Sequence, residues 1–194
     1  MSRVTPPVLA SGPPDAIEPP VLVDADDDCI IGHWRKLALV VYRRETTLAM
    51  ASRLSALVRE RAKRGNPFFG GIAVVEEHAP LPPAEVRNRI AQDVLLASGW
   101  KISALVYEGS GFRAAAVRGV ILGIGLLAKP PFPHRSFATV GSAAEWIADR
   151  AGELGANNLS ATGICSAMEH LREPSALRLS AVRTVHPRPS GFGS

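Results

Sequence analysis

The sequence predicts an α/β domain built on a mixed, mostly parallel five-stranded sheet with about four packed helices. Short apolar runs rich in β-branched residues are typical of strands that are buried on both faces. Longer segments with apolar residues at helical spacing alternate with these runs, and this alternation favours helices packed on a parallel sheet. Only Arg35 and Lys36 separate the first two runs, which indicates an antiparallel hairpin at the opening of the sheet.

The amino-acid composition narrows the classes of protein to which the chain can belong. At 194 residues, with 46% hydrophobic and 21% charged residues, the chain suits a soluble globular domain. The formal net charge is +4, but the arginines are scattered and aromatics make up only 6%, so we expect no nucleic-acid binding. Cys29 and Cys165 lie far apart, which excludes a cysteine-rich zinc site and favours a reducing compartment.

The N-terminal stretch carries prolines and acids rather than the basic and apolar segments of a secretory signal, so we expect a cytoplasmic protein. Residues 1–21 are predicted to be a disordered proline-rich arm, followed by a domain over 22–154. Residues 155–194 are predicted to be an appendage that is partly helical and then disordered. Four aspartates form a solvated lead-in to the first strand, since the glycine and glutamate of a calcium loop are missing; they are Asp24, Asp26, Asp27 and Asp28.

Strands are predicted over 29–34, 37–42, 68–75, 102–107 and 135–140. The first helix, over 46–64, has Thr46 or Thr47 as its cap and basic residues in its last turn. A second helix is predicted over 84–98, with Pro83 in its first turn. Further helices are predicted over 112–128, from Ser142 to about 155, and over 159–172. Ser142 and Glu145 have the spacing of a capping box.

The helix over 112–128 follows a turn made by Gly109, Ser110 and Gly111. Its uncharged part is about half of the roughly 20 residues that a bilayer requires, so we expect no transmembrane segment. Amides at a helix N-terminus attract anions, and Arg113 lies one turn in, with Phe112 as an apolar wall. The turn lacks the third glycine of a dinucleotide fingerprint and the lysine of a Walker motif, which favours a structural role.

A second candidate site follows the strand over 68–75, at the end where ligands gather in open α/β sheets. Glu76, Glu77 and His78 are residue types that perform acid–base chemistry or bind metals. Three adjacent loop residues cannot all point inward, however, and no further ligand or catalytic group is paired with them. We therefore predict no catalytic set, no metal site and no cofactor.

Four lines of the sequence carry a family resemblance: VVEEHAPLPPAEVR, EGSGFRAAAVRGV, PFPHRSFATV and SAAEW. They resemble STAS domains, the fold of the sporulation anti-sigma-factor antagonists, and especially the divergent SpoIIAA-like group and uncharacterised bacterial proteins of that layout. The resemblance covers about residues 22–154. It implies a partner-binding or nucleotide-sensing signalling module with a phosphorylatable serine after the third strand. The matching stretch, 76–83, contains no Ser or Thr.

The first functional hypothesis is therefore a non-enzymatic regulatory or protein-interaction module without the phospho-switch serine. Its expected interaction surface comprises Glu76, Glu77, His78, Glu108 and Phe112. The alternative is a protein that binds a small anionic ligand or a lipid headgroup through Gly109, Ser110, Gly111 and Arg113. A third possibility is an enzyme that uses Glu76, Glu77, His78 or Glu108.

Overall fold

The computed structural model describes residues 18–80, 82–90, 92, 100–109 and 130–173. In these residues six strands form one sheet in chain order: β1 (Val21–Ala25), β2 (Cys29–Trp34), β3 (Leu37–Tyr42), β4 (Gly70–Val75), β5 (Ile102–Tyr107) and β6 (His134–Phe137). Four helices accompany them: α1 (Leu48–Lys63), α2 (Ala84–Ile90), α3 (Val140–Glu153) and α4 (Ala161–Arg172).

The sheet is mixed. β1 pairs with β2, and β2 with β3, in antiparallel fashion. β3, β4, β5 and β6 are parallel to one another, so their carboxyl ends meet at one edge. The predicted α/β class with a mixed sheet is confirmed, but the prediction of five strands is wrong. The additional strand is β1, at the edge of the sheet, where Val21 and Val23 are 49% and 45% exposed and the apolar signal is correspondingly weak.

Two of the four aspartates expected in a solvated lead-in have structural roles. Asp26 Oδ1 accepts hydrogen bonds from the amides of Asp28 (3.0 Å) and Cys29 (2.8 Å), which turns the chain from β1 into β2. The guanidinium of Arg53 on α1 lies 2.9 Å from Asp24 Oδ2 and 2.6 Å from Asp26 Oδ2. The acidic turn is thereby tied to the first helix.

The hairpin between β2 and β3 is confirmed, and its turn joins three parts of the fold. Arg35 adopts a positive φ of 52° in this turn. Its guanidinium stacks 4.5 Å from the ring centre of Trp34, lies 3.9 Å from Glu18 Oε2 and donates to the carbonyl of Asn158. Trp34 Nε1 also donates to the Glu18 carbonyl at 2.7 Å. These contacts hold the entry to β1 and the α3–α4 connection against one turn.

Successive side chains of each central strand point to opposite faces, so the sheet has a core on both sides. On one side α1 packs Met50, Leu54 and Val58 against the sheet. The other side is covered by α3 and α4, with Ile147 and Ile164 fully buried. Full burial of a side chain of this size contributes roughly 1.5–3 kcal/mol, so both layers stabilise the sheet.

Helix α4 packs closely on β2. A Cβ atom on Gly32 would come within 2.6 Å of Leu171 Cδ1, and one on Gly163 would come within 2.8 Å of Trp34 Cζ2. Glycine at these two positions therefore permits the close approach. Although α4 lies within residues 155–194, which the sequence predicts to be an appendage to the 22–154 domain, its buried residues share the core with α3.

Several boundaries differ from the predictions. α3 begins at Val140, and its N-cap is Thr139, whose Oγ1 accepts from the Ser142 amide at 3.2 Å. The prediction that Ser142 caps this helix is therefore wrong. Thr47, one of the two predicted caps of α1, accepts from the Met50 amide at 3.3 Å. The helix predicted over 112–128 and most of 91–98 lie outside the described residues.

Candidate functional site

The carboxyl ends of three parallel strands bring together the residues that follow them. β3 is followed by Arg43, β4 by Glu76 and β5 by Glu108, and Tyr42, Val75 and Tyr107 are in register across the sheet. The amide of Glu76 donates to the Tyr42 carbonyl, and the amide of Glu108 donates to the Val75 carbonyl, both at 2.9 Å. Ladder hydrogen bonds thus continue one residue beyond the strands and fix these positions.

Two ion pairs connect this edge with the end of α4. Arg43 Nε lies 3.7 Å from Glu76 Oε1, and Arg172 Nη1 lies 3.0 Å from Glu108 Oε1. Arg43 Nη2 also donates to the carbonyl of Arg172 at 3.5 Å, at the negative end of the α4 dipole. All four side chains are 21–35% exposed, and we refer to Arg43, Glu76, Glu108 and Arg172 as the carboxyl-edge cluster.

The loop after β4 presents two exposed side chains on a fixed backbone. Glu77 and His78 are exposed, whereas Ala79 beside them is buried. The amide of Ala79 donates to the Glu76 carbonyl at 3.0 Å, and the Tyr107 hydroxyl donates to the Glu77 carbonyl at 3.3 Å. The loop is therefore anchored from both sides while its charged groups face solvent.

The geometry at this edge does not assemble an acid–base pair among the predicted residues. Glu76 and Glu108 each interact with an arginine, and within the described part of the chain no hydrogen bond joins His78 to a carboxylate. The described residues also contain no group of three or more His, Cys, Asp or Glu side chains arranged to hold a metal ion. Nothing in this arrangement supports the hypothesis that Glu76, Glu77, His78 or Glu108 is catalytic.

The predicted anion site is described only at its first residue. Gly109 lies beside Tyr107 and Glu77, and a Cβ atom on it would meet Tyr107 Cε1 at 2.9 Å. Ser110, Gly111, Phe112 and Arg113 lie outside the described residues. The glycine lets the chain leave β5 close to the Glu77 loop, which brings the first residue of one candidate site next to the other.

A cleft of about 340 Å³ opens between α1 and α2. It is lined by one apolar residue, Leu48, which is 39% exposed, and by polar side chains: Ser52, Glu85, Asn88, Arg89 and Gln92. Because α1 and α2 both begin where a parallel strand ends, the first turns of these helices extend the surface of the carboxyl edge.

Two members of the carboxyl-edge cluster were missed from the sequence. Arg43 follows β3 as Glu76 follows β4, and comparing the residues after each predicted strand would have found it. No sequence signal indicates Arg172, because its contact with Glu108 spans 64 positions and depends on how α4 is placed. Among the described residues, the exposed carboxylates at this edge also include Glu45 and Glu85.

No described helix combines the length and the apolar character needed to cross a bilayer. Comparison of the chain with protein-family models and with curated proteins gave no match in either case.

Proposed function

We propose that the chain is a non-enzymatic interaction module of the STAS-like type that binds a protein partner through the carboxyl edge of its sheet. The observation that carries this proposal is the loop after β4, where exposed Glu77 and His78 stand on a backbone that two hydrogen bonds anchor. Exposed charged groups on a rigid scaffold are suited to recognition, since little conformational entropy is lost when they bind.

The surroundings of the loop supply a larger surface. Next to it lie the two ion pairs of the carboxyl-edge cluster, and beyond it lies the cleft with Leu48. A stable interface requires roughly 800 Å² on each partner, more than one loop offers. We infer that the partner contacts the loop and the first turns of α1 and α2 together, with Leu48 as an apolar contact within a polar rim.

The expected regulation differs from that of a phosphorylated STAS domain. Residues 76–83 contain two glutamates and no Ser or Thr. A carboxylate carries one negative charge whereas a phosphate carries nearly two, so Glu76 and Glu77 imitate a phosphoserine imperfectly. We propose a surface that is acidic at all times rather than one that a kinase switches.

The test is a quantitative pull-down from the native host with three forms of the full chain as bait. Glu77→Lys reverses a charge at the centre of the surface, and Asp149→Lys makes the same change on an exposed residue of α3. We expect the wild type and Asp149→Lys to capture the same protein in equal amounts and Glu77→Lys to lose it. Equal capture by all three would overturn the proposal.

A thermal-shift screen tests the alternative function, the binding of a small anionic ligand. A small anion such as inorganic phosphate that binds the native chain raises its Tm by mass action. If such a rise occurs and is lost in Arg113→Ala, the site at Gly109–Arg113 is an anion site and the ligand-binding hypothesis gains support. Because Gly109 lies beside Glu77, the two hypotheses are separated by the substitution that removes binding, Arg113→Ala for the anion site and Glu77→Lys for the partner surface.

A further inference from the structure

A histidine and an arginine meet at the last turn of α1. His33 lies on the face of β2 that α1 covers, and Arg61 Nη1 lies 3.2 Å from His33 Nε2. The Arg61 guanidinium also stacks 4.5 Å from the ring centre of Phe68, and its Nε donates to the Asn66 carbonyl at 3.3 Å. One side chain thus joins β2, the end of α1 and the residues that lead into β4.

The Arg61 backbone closes the same turn. Its carbonyl accepts from the Asn66 amide at 3.0 Å, and the Gly65 amide donates to the Ala62 carbonyl at 3.1 Å, with Gly65 at a positive φ of 71°. Residues 64–67 are exposed, whereas Phe68 directly after them is only 3% exposed. Arg61 therefore holds the turn through both its backbone and its side chain.

This arrangement fits only the neutral form of His33. A guanidinium donates hydrogen bonds and accepts none, so His33 Nε2 is the acceptor and the ring proton lies on Nδ1. Nδ1 is buried and has no hydrogen-bond partner among the described residues. A second proton, on Nε2, would place an N–H group and a positive charge against the Arg61 guanidinium, which does not lose its own proton. The contact is therefore incompatible with a protonated ring.

The groups around His33 oppose its protonation. Its uncharged neighbours belong to three elements: Val21 on β1, Ala38 on β3 and Phe68 before β4. Burial and the charge of Arg61 lower the pKa of His33 below its ordinary value of 6.5, while Glu18, which precedes β1, acts in the opposite direction. Glu18 also lies 3.9 Å from Arg35, which weakens its effect on the histidine.

When the ring takes up a proton, Arg61 is the side chain that can move. β2 is paired on both sides, with β1 and with β3, so its backbone holds His33 in place. Arg61 lies in the last turn of α1, is partly exposed and, within the described part of the chain, forms no ion pair with a carboxylate. A swing into water satisfies its donors and breaks its side-chain contacts with Phe68 and Asn66.

We propose that His33 and Arg61 form a pH-sensitive latch on the turn between α1 and β4, closed while His33 is neutral and open once it is protonated. Opening releases the Arg61 side chain from Phe68 and Asn66 and loosens residues 64–67, while the sheet stays folded. The open form binds the proton more tightly than the closed form, so its population rises as the pH falls below 6.5. The latch lies at the amino ends of the parallel strands and stands apart from the function proposed above.

An NMR titration of the full chain between pH 7.5 and 4.5 tests the latch. The nuclear Overhauser contact between the Arg61 δ-methylene group and the Phe68 ring should be lost, and the Asn66 amide signal should shift, with the same midpoint as the His33 ring signals. The amide signal of Ile147, in the core on the other side of the sheet, should keep its folded position. In His33→Gln the glutamine oxygen can still accept from Arg61 but does not titrate, so the contact should persist at every pH.

Two arginine variants provide a second measurement. Arg61→Ala removes the neighbouring charge, so the pKa of His33 should rise toward 6.5. Arg64→Ala removes an exposed arginine that pairs with Glu60 and should leave that pKa unchanged.

Four results would overturn the proposal. The first two are a contact between Arg61 and Phe68 that survives protonation of His33, and a loss of this contact that also occurs in His33→Gln. The others are an equal pKa of His33 in the wild type and in Arg61→Ala, and disappearance of the folded Ile147 signal at the His33 midpoint, which would mean that the whole domain unfolds.

Discussion

Arg172 Nη1 lies 3.0 Å from Glu108 Oε1, although 64 residues separate them in the sequence. This contact joins the last residue of α4 to the residue that follows β5. It explains how a helix near the end of the described chain becomes part of the edge where the parallel strands terminate. The same arginine has Nε and Nη2 buried with no hydrogen-bond partner within the described residues, so Glu108 is its principal polar contact.

Breaking this contact is expected to weaken the attachment of α4. Partly exposed ion pairs contribute about 0–1 kcal/mol, so we predict a coupling energy of roughly 0.5–1 kcal/mol between Glu108→Ala and Arg172→Ala in a double-mutant cycle. Urea denaturation of the four forms measures it. The more exposed pair of Arg64 and Glu60 serves as a control with weaker coupling. A coupling energy of zero for Glu108 and Arg172 would show that the contact does not contribute to stability.

Because α4 packs closely on β2, we predict that replacing one of its glycines by alanine destabilises the protein. Replacing a helical glycine by alanine normally stabilises a helix by about 0.5–1 kcal/mol. We expect this for Gly152 in α3, whose added Cβ would lie 3.8 Å from Asn157 Oδ1, an ordinary van der Waals distance. For Gly163→Ala we expect destabilisation of about 1–3 kcal/mol instead, because the methyl group would overlap the Trp34 ring. Thermal denaturation compares the two variants. Stabilisation by both substitutions would contradict the packing of α4 on β2.

Two partly buried histidines, His33 and His134, predict a dependence of stability on pH. Burial lowers the pKa of His134, and burial together with repulsion from Arg61 lowers the pKa of His33 below the ordinary value of 6.5. Arg61 Nη1 donates to His33 Nε2 at 3.2 Å, so this nitrogen accepts only while the ring is neutral. The unfolded chain therefore binds more protons than the folded chain just below pH 6.5, and the free energy of unfolding must fall as the pH falls through this range.

The measurement is urea denaturation between pH 7 and 5 for the wild type and for His33→Gln with His134→Gln. We expect the wild type to lose stability over this interval and the double variant to lose less. Asp26 titrates in a separate window. Burial raises its pKa, but hydrogen bonds from Arg53 and two amides outweigh burial and lower the pKa below 3.8. The stabilisation that ionised Asp26 contributes is thus lost only in stronger acid. If the free energy of unfolding falls equally with pH in both proteins between pH 7 and 5, the two histidines are not the cause.

The two free thiols are expected to differ in reactivity. Burial raises the pKa of Cys29 strongly, and its side chain is only 2% exposed, whereas Cys165 is partly exposed on α4. Because the thiolate is the reactive form, a disulfide reagent should modify Cys165 first and Cys29 only at the rate of unfolding. Counting modified thiols with time, with Cys165→Ser as the control, tests this. Rapid modification of the Cys165→Ser variant would place Cys29 at the surface.

The sequence was a reliable guide wherever burial produces a periodic pattern. β2, β3, β5 and α1 agree closely with their predicted ranges, because each pairs apolar periodicity with a turn or a cap. β1 was missed since edge strands expose part of their apolar surface and two of its neighbours, Asp26 and Asp27, suggested a loop. The cap of α3 was misassigned because Ser142 and Glu145 imitate a capping box, while Thr139 supplies the bond.

The candidate site was predictable in part. Topology alone places Glu76 and Glu108 at one edge, because both follow parallel strands. Their arginine partners were not predicted, since an ion pair between Arg172 and Glu108 requires the position of α4, which side-chain patterns do not specify. Long-range charge pairing is a property of the assembled layers rather than of any segment.

Hydrogen exchange of the captured complex tests the central claim most directly. The free chain and the chain bound to the partner from the pull-down are compared, peptide by peptide, after exposure to deuterium. We predict slower exchange in residues 76–80 and in the first turn of α1, with unchanged exchange in the second half of α3. Protection confined to α3 and α4, with residues 76–80 exchanging as in the free chain, would place the partner away from the carboxyl edge. That result would contradict the proposed function.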